Sequence, residues 1–99
     1  MAEQVEFFDL NDARAKIADA HEPIILINAP GTIRSLGILV IDKIFKILAS
    51  EVNIAKMTLR VDDDIAGVFE SIKLGYNNIL YSGNSTSIKK LLEKYNQKL

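Results

Sequence analysis

Apolar and polar positions along the chain alternate between two rhythms. "QVEFFDL" (4–10) has the composition of a strand, and "NDARAKIADAH" (11–21) repeats at helical spacing, with Ala13, Ile17 and Ala20 on one face and Asp9 or Asn11 as its cap. "EPIILIN" (22–28) reads as a second strand that starts at Pro23. Its unbroken run Ile24 to Ile27 predicts burial on both faces, in the sheet interior. A helix is predicted from Thr32 or Ser35 to Ser50. "IAKMTLRV" (54–61) follows and alternates strictly, with Ala55, Met57, Leu59 and Val61 against Lys56, Thr58 and Arg60, which predicts a half-exposed edge strand.

"DDDIAGVFESIKLG" (62–75) places Ile65, Val68, Phe69 and Ile72 at i, i+3, i+4 and i+7 of an amphipathic helix, with Gly75 as a left-handed stop. A short strand, "NNILYS", leads through "GNSTS" into a last helix carrying Ile88, Leu91, Leu92 and Tyr95 at the same spacing. The order βαβαβαβα predicts an α/β fold: a four-stranded, mainly parallel sheet with right-handed crossovers and helices packed on its faces. No linker or change of composition divides the 99 residues, so residues 1–99 read as a single small domain.

One helix carries more apolar surface than docking on a sheet requires. In "SLGILVIDKIFKILAS" only Asp42, Lys43 and Lys46 form a polar stripe, whereas a surface helix needs about a third of its circumference apolar. Either it lies deep between the sheet and its neighbours, or it forms an interface. A domain this small has little else with which to bury a second face. We therefore expect a contact with a second copy, as a homodimer, or with a protein partner, made by Leu36, Leu39, Val40, Ile44 and Ile47.

Composition narrows the remaining functions. The net charge is −1, and the lysines gathered near the end (Lys89, Lys90, Lys94 and Lys98) are interrupted by Glu93, so neither nucleic acid nor a membrane surface is expected as a partner. The chain has no cysteine, which excludes disulfides, thiol nucleophiles and cysteine-ligated metals. "MAEQVEFFDL" lacks the basic start of a signal peptide, and Gly37 to Leu48 is too short to span a bilayer, so a cytoplasmic protein is expected.

Candidate chemistry gathers where parallel strands end, because the loops there share one edge. "NAPGT" (28–32), "DDD" (62–64) and "SGNSTS" (82–87) offer amides at helix starts, hydroxyls and carboxylates, although each of these residue types also serves simply as a helix cap. Between Gly31 and Gly37 five residues intervene and Ile38 follows, so neither a P-loop nor a dinucleotide fingerprint is present. Gly31 and Thr32, and the better loop Gly83, Asn84, Ser85, Thr86 and Ser87, remain candidates for an anionic ligand such as a phosphorylated metabolite. Adjacent aspartates at 62–64 diverge, and His21, the single histidine, belongs at the opposite edge as a surface cap. No metal site, cofactor or catalytic set is therefore expected; the chain reads as a non-enzymatic module first, with a small enzyme or binding protein for a phosphorylated metabolite at this edge as the alternative.

"IRSLGILVI" and "VFESIKLGYNNILYSGNSTSIKKLL" are similar to parts of the STAS domain, the fold of bacterial anti-sigma-factor antagonists. That resemblance, over residues 5–95, implies a protein-binding module. Arg34 stands where that family has Asp, and Leu36 replaces the usual phosphoacceptor serine, so phospho-switching is not implied. "LRVDDDIAGVFESIKLGYNNILYSG" also resembles a run in small alphaproteobacterial proteins with no assigned function.

Overall fold

The computed structural model describes residues 2–96; Met1 and residues 97–99, Lys98 among them, lie outside the described residues. The elements follow in the expected order: β1 (Glu3–Phe7), α1 (Leu10–Ala18), β2 (Ile24–Asn28), α2 (Thr32–Leu36), α3 (Ile38–Glu51), β3 (Ile54–Asp62), α4 (Ile65–Lys73), β4 (Ile79–Tyr81) and α5 (Thr86–Tyr95). The four strands form one sheet in the order β1-β2-β3-β4, and every pairing is parallel. Each crossover thus joins nearest neighbours. Right-handed connections between successive neighbours all pass over the same side of the sheet.

The core agrees with that rule. Val5, Phe7, Ile24, Leu26, Leu59, Val61 and Ile79 form one cluster with Ala13, Ile41, Phe45, Leu48, Val68 and Ile88 of the helices. Their alternates (Gln4, Glu6, Ile25, Ile27, Lys56, Thr58, Arg60 and Leu80) make up a second face that carries no helix. The molecule is correspondingly thin, 39 × 30 × 20 Å. Phe7 meets Phe45 edge-on at 5.5 Å, and Phe45 meets Tyr76 at 5.7 Å, so three aromatic rings tie β1, α3 and the approach to β4 together.

The helix-free face corrects the placement of β3. This strand is interior, between β2 and β4, and its polar alternates face outward because no helix covers that side. The half exposure of β3 thus comes from an uncovered face and not from a place at the sheet edge. The burial expected for β2 on both sides is met at Ile24, Leu26 and Ile27, from two different causes, but not at Ile25, which is half-buried on the helix-free face. Helices cover Ile24 and Leu26, while Ile27, only 5% exposed, lies beneath an ion pair from Glu6 on β1 to Arg60 on β3 at 2.9 Å.

Helix α4 also docks differently from its pattern. Gly67, Val68 and Ser71 face the sheet, while Ile65 and Phe69 are 44% and 49% exposed. A Cβ at Gly67 would come within 3.2 Å of the Val61 Cβ, so the small face allows the helix to approach β3 closely. Ser71 hides its hydroxyl by donating to the Gly67 carbonyl at 2.6 Å. Close contact along the small-residue face turns the larger side chains sideways.

The sheet edges are blunted by side chains. Lys16 donates to the outward Glu6 carbonyl of β1 at 2.6 Å. On β4, the Asn96 amide accepts from the Ile79 N–H at 2.7 Å and donates to its carbonyl at 3.1 Å, taking both outward backbone groups of that strand's first residue.

The predicted long helix is divided into α2 and α3 by Gly37, whose φ of 87° and ψ of 150° are open almost only to glycine. In an unbroken helix, Gly37→Ala would stabilise the fold by about 1 kcal/mol. At this corner we expect the reverse, a loss of about 1–3 kcal/mol in urea denaturation.

Candidate functional site

The loops after β2, β3 and β4 do meet at the carboxyl edge of the sheet. Asn28, fully buried at the end of β2, uses its side chain in place of the next backbone link. Its Oδ1 accepts from the Arg60 N–H at 2.7 Å, and its Nδ2 donates to the Arg60 carbonyl at 2.8 Å and to the Thr32 hydroxyl at 2.9 Å. Thr32 donates onward to the Ala29 carbonyl at 2.7 Å. Both residues are therefore committed to closing the β2 turn against β3.

Gly31 and Asp62 form the next link. The Gly31 N–H donates to Asp62 Oδ2 at 3.0 Å, and the Asp62 carbonyl accepts from the Ser82 N–H at 2.7 Å. Asp62 holds a left-handed φ of 54° at this point, an uncommon conformation for a residue with a side chain. A carboxylate of the chain itself thus occupies the Gly31 amide that the sequence offered to an external anion.

In the later loop, a Cβ at Gly83 would fall inside the Tyr81 ring, so the glycine is there to admit that ring. The Tyr81 hydroxyl accepts from the Ser85 N–H at 3.3 Å, and the Ser85 hydroxyl accepts from the Ile88 N–H at 3.3 Å as the cap of α5. Asn84, Thr86 and Ser87 are exposed beside them. A cleft of about 490 Å³ is lined by Gly31, Ile33, Arg34 and Val61–Asp64, so carboxylates and a single guanidinium border it. Among the described residues, no three acidic or histidine side chains converge as metal ligands. His21 follows α1, with its N–H near Glu3 Oε1 at 3.4 Å, at the opposite edge of the sheet.

On α3 the five expected interface residues separate by direction. Leu39 is 67% and Val40 47% exposed, Leu36 and Ile47 are half-buried, and Ile44 is turned into the core. Ile44 therefore belongs with Ile41, Phe45 and Leu48 on the sheet-facing side. The helical spacing of α3 places Val40, Ile47 and Glu51 towards α1, and Glu51 pairs there with Arg14.

The pattern did not identify the polar cluster on the other flank of α3. Asp42, 7% exposed, accepts from the Tyr76 hydroxyl at 2.7 Å and pairs with Lys46 at 2.8 Å. Burial works against the carboxylate, but the hydrogen bonds from Lys46 and Tyr76 and the Lys46 charge outweigh it and hold Asp42 below its ordinary range. Burial, and then the bond to Asp42, push the Tyr76 phenol up. The clue in the sequence is Asp42 with Lys46 at i+4 in the polar stripe of an apolar helix, while Tyr76 carries no local signal.

Because Asp42 is more acidic folded than unfolded, its stabilising contribution is present above the ordinary carboxylate range and is lost as pH falls through its folded value. Tyr76 has the opposite sense, with a contribution lost above about pH 10, where the unfolded phenol ionises. We expect Tyr76→Phe to cost about 1.5–3 kcal/mol at neutral pH. That difference should shrink as pH falls through the folded value of Asp42, as read by urea denaturation in a series from neutral pH downward.

Comparison with known proteins adds one firm relationship. No family model matches the chain, so the likeness to the anti-sigma-factor antagonists rests on the short motifs alone. No solved structure matches it. The uncharacterized protein RP547 of Rickettsia prowazekii (strain Madrid E) is 42% identical over 86 residues, covering 85% of this chain and 81% of the relative. The similarity to small uncharacterised alphaproteobacterial proteins therefore extends over most of the fold, and the chain belongs to one family with that Rickettsia protein.

Proposed function

We propose that the protein is a non-enzymatic interaction module that self-associates through the outer face of α3. The observation that carries this reading is the exposure of Leu39 and Val40, at 67% and 47%, in the first turns of a helix whose opposite face already fills the core. Ile47 extends the apolar surface along α3 and Leu36 adds to it from the end of α2, with Lys43 between Leu39 and Ile47 and Lys46 at the border. A two-fold contact between copies would bury the same residues twice. The STAS-like motifs point the same way, towards protein binding.

Charge and composition support a protein partner over other classes. A net charge of −1 provides no field for nucleic acid or anionic lipid, and a chain without cysteine suits a reducing cytoplasm. No described helix is long and apolar enough to cross a membrane. A phosphorylated metabolite at the carboxyl edge is the competing reading. Against it stand the Asp62 carboxylate on the Gly31 amide and the Tyr81 ring against Gly83.

Sedimentation equilibrium over a range of concentrations tests the proposal. The expected outcome is a reversible dimer that Leu39→Glu weakens by at least about tenfold, with unchanged folding, since burying an unpaired charge at an apolar contact costs more than about 1.4 kcal/mol. A strict monomer at every concentration would overturn it.

A further inference from the structure

Strand β3 is longer than the strand beside it. It starts at Ile54, whereas β4 pairs with it only from Leu59, opposite Ile79. Backbone groups along a strand point alternately to its two neighbours. The Arg60 N–H is directed to β2, where Asn28 accepts it, and the Leu59 N–H is directed to β4, where the Asn78 carbonyl accepts it at 2.9 Å. By that alternation, the N–H and C=O of Met57 point to the β4 side. No strand stands opposite them.

These two groups border a cleft of about 370 Å³ between α3 and the chain entering β4. Met57 and Leu74 form its apolar wall, with the fully buried Phe45 behind them, while Asn77 and Asn78 line it beside the strand. The Asp42 carboxylate in this wall is already bound by Tyr76 and Lys46. Lys46 is neutralised by that pairing, and Lys56, on the helix-free face of the strand, adds a positive charge at its border. On the outer edges, Lys16 takes the Glu6 carbonyl of β1 and Asn96 both outward groups of Ile79 on β4.

From this we infer that the cleft binds a short extended peptide, which pairs its backbone with Met57, seats an apolar side chain between α3 and the entry to β4, and turns the acidic side chain that follows to the helix-free face beside Lys56. The donor and acceptor of one strand residue lie at the spacing that a second extended residue matches, so peptide backbone is the complementary chemistry. Met57 and Leu74, both half-buried, supply the apolar seat, and Lys56 favours a carboxylate on the next residue, whose side chain alternates to that lysine's face of the strand. The cleft lies on the α4 flank of α3, separate from Val40 and Ile47, so this inference goes beyond self-association and fails independently of it.

The test uses the full chain, amide-resolved nuclear magnetic resonance, and the blocked tripeptide acetyl-alanyl-leucyl-glutamyl amide. A saturable shift of the Met57 amide is expected, with a dissociation constant on the order of millimolar for so small a ligand. The same peptide methylated at the leucine nitrogen should bind at least about tenfold more weakly, since it has lost a backbone donor. Ala55→Trp, which fills the cleft from an exposed position, should abolish the shift while leaving the sedimentation behaviour unchanged. Should that variant not fold, Lys56→Glu should weaken the glutamyl peptide and not its lysyl counterpart. An unmoved Met57 amide, or equal binding of the methylated and unmethylated peptides, would overturn the inference.

Discussion

Every strand in this sheet lies beside its predecessor and runs parallel to it, and most of the architecture follows from that constraint. Right-handed crossovers between nearest neighbours must all cover the same side. The result is a two-layer molecule in which one face of the sheet is packed by helices and the other is sealed only by its own side chains. Parallel sheets are usually covered on both faces. Here Arg60 and Glu6 bridge over β2 in place of a second helical layer and keep Ile27 out of water.

The same constraint determines how the loops close. With helices on one side only, the turns at the carboxyl edge form a single row, and each is fastened to the next. Asn28 links β2 to β3, Asp62 links the β3 turn to Gly31 and to Ser82, and Tyr81 fills the space at Gly83. The polar residues that resemble an anion site are therefore largely engaged with one another. Side-chain amides take over backbone pairing twice, at Asn28 and at Asn96. That substitution lets very short strands end without orphaned donors and acceptors.

Helix α3 is the element around which the fold is organised. Its sheet-facing side carries Phe45 between Phe7 and Tyr76, its α4 flank carries the Asp42 cluster, and its α1 flank carries Glu51 paired with Arg14. What remains outward, Leu39 and Val40, is too far from the core to join it. The excess noted in the sequence is thus partly resolved within the fold, where Ile44 is absorbed, and partly left at the surface.

Much of this was legible in the amino-acid order. The alternation of periods two and three-and-a-half specifies strands, helices and a parallel α/β sheet, because side-chain direction repeats with the geometry of each element. The pattern on β3 says that one face is polar, and the apolar run on β2 says that neither of its faces meets water. Which neighbours supply those environments is decided only in three dimensions, by pairing between residues far apart in the chain. Strand order made β3 interior, the small face at Gly67 turned Ile65 and Phe69 outward, and Gly37 divided a helix that periodicity alone had joined. The opening beside Met57 also has no local signal, since it arises from a difference in length between two strands that meet only in the folded sheet.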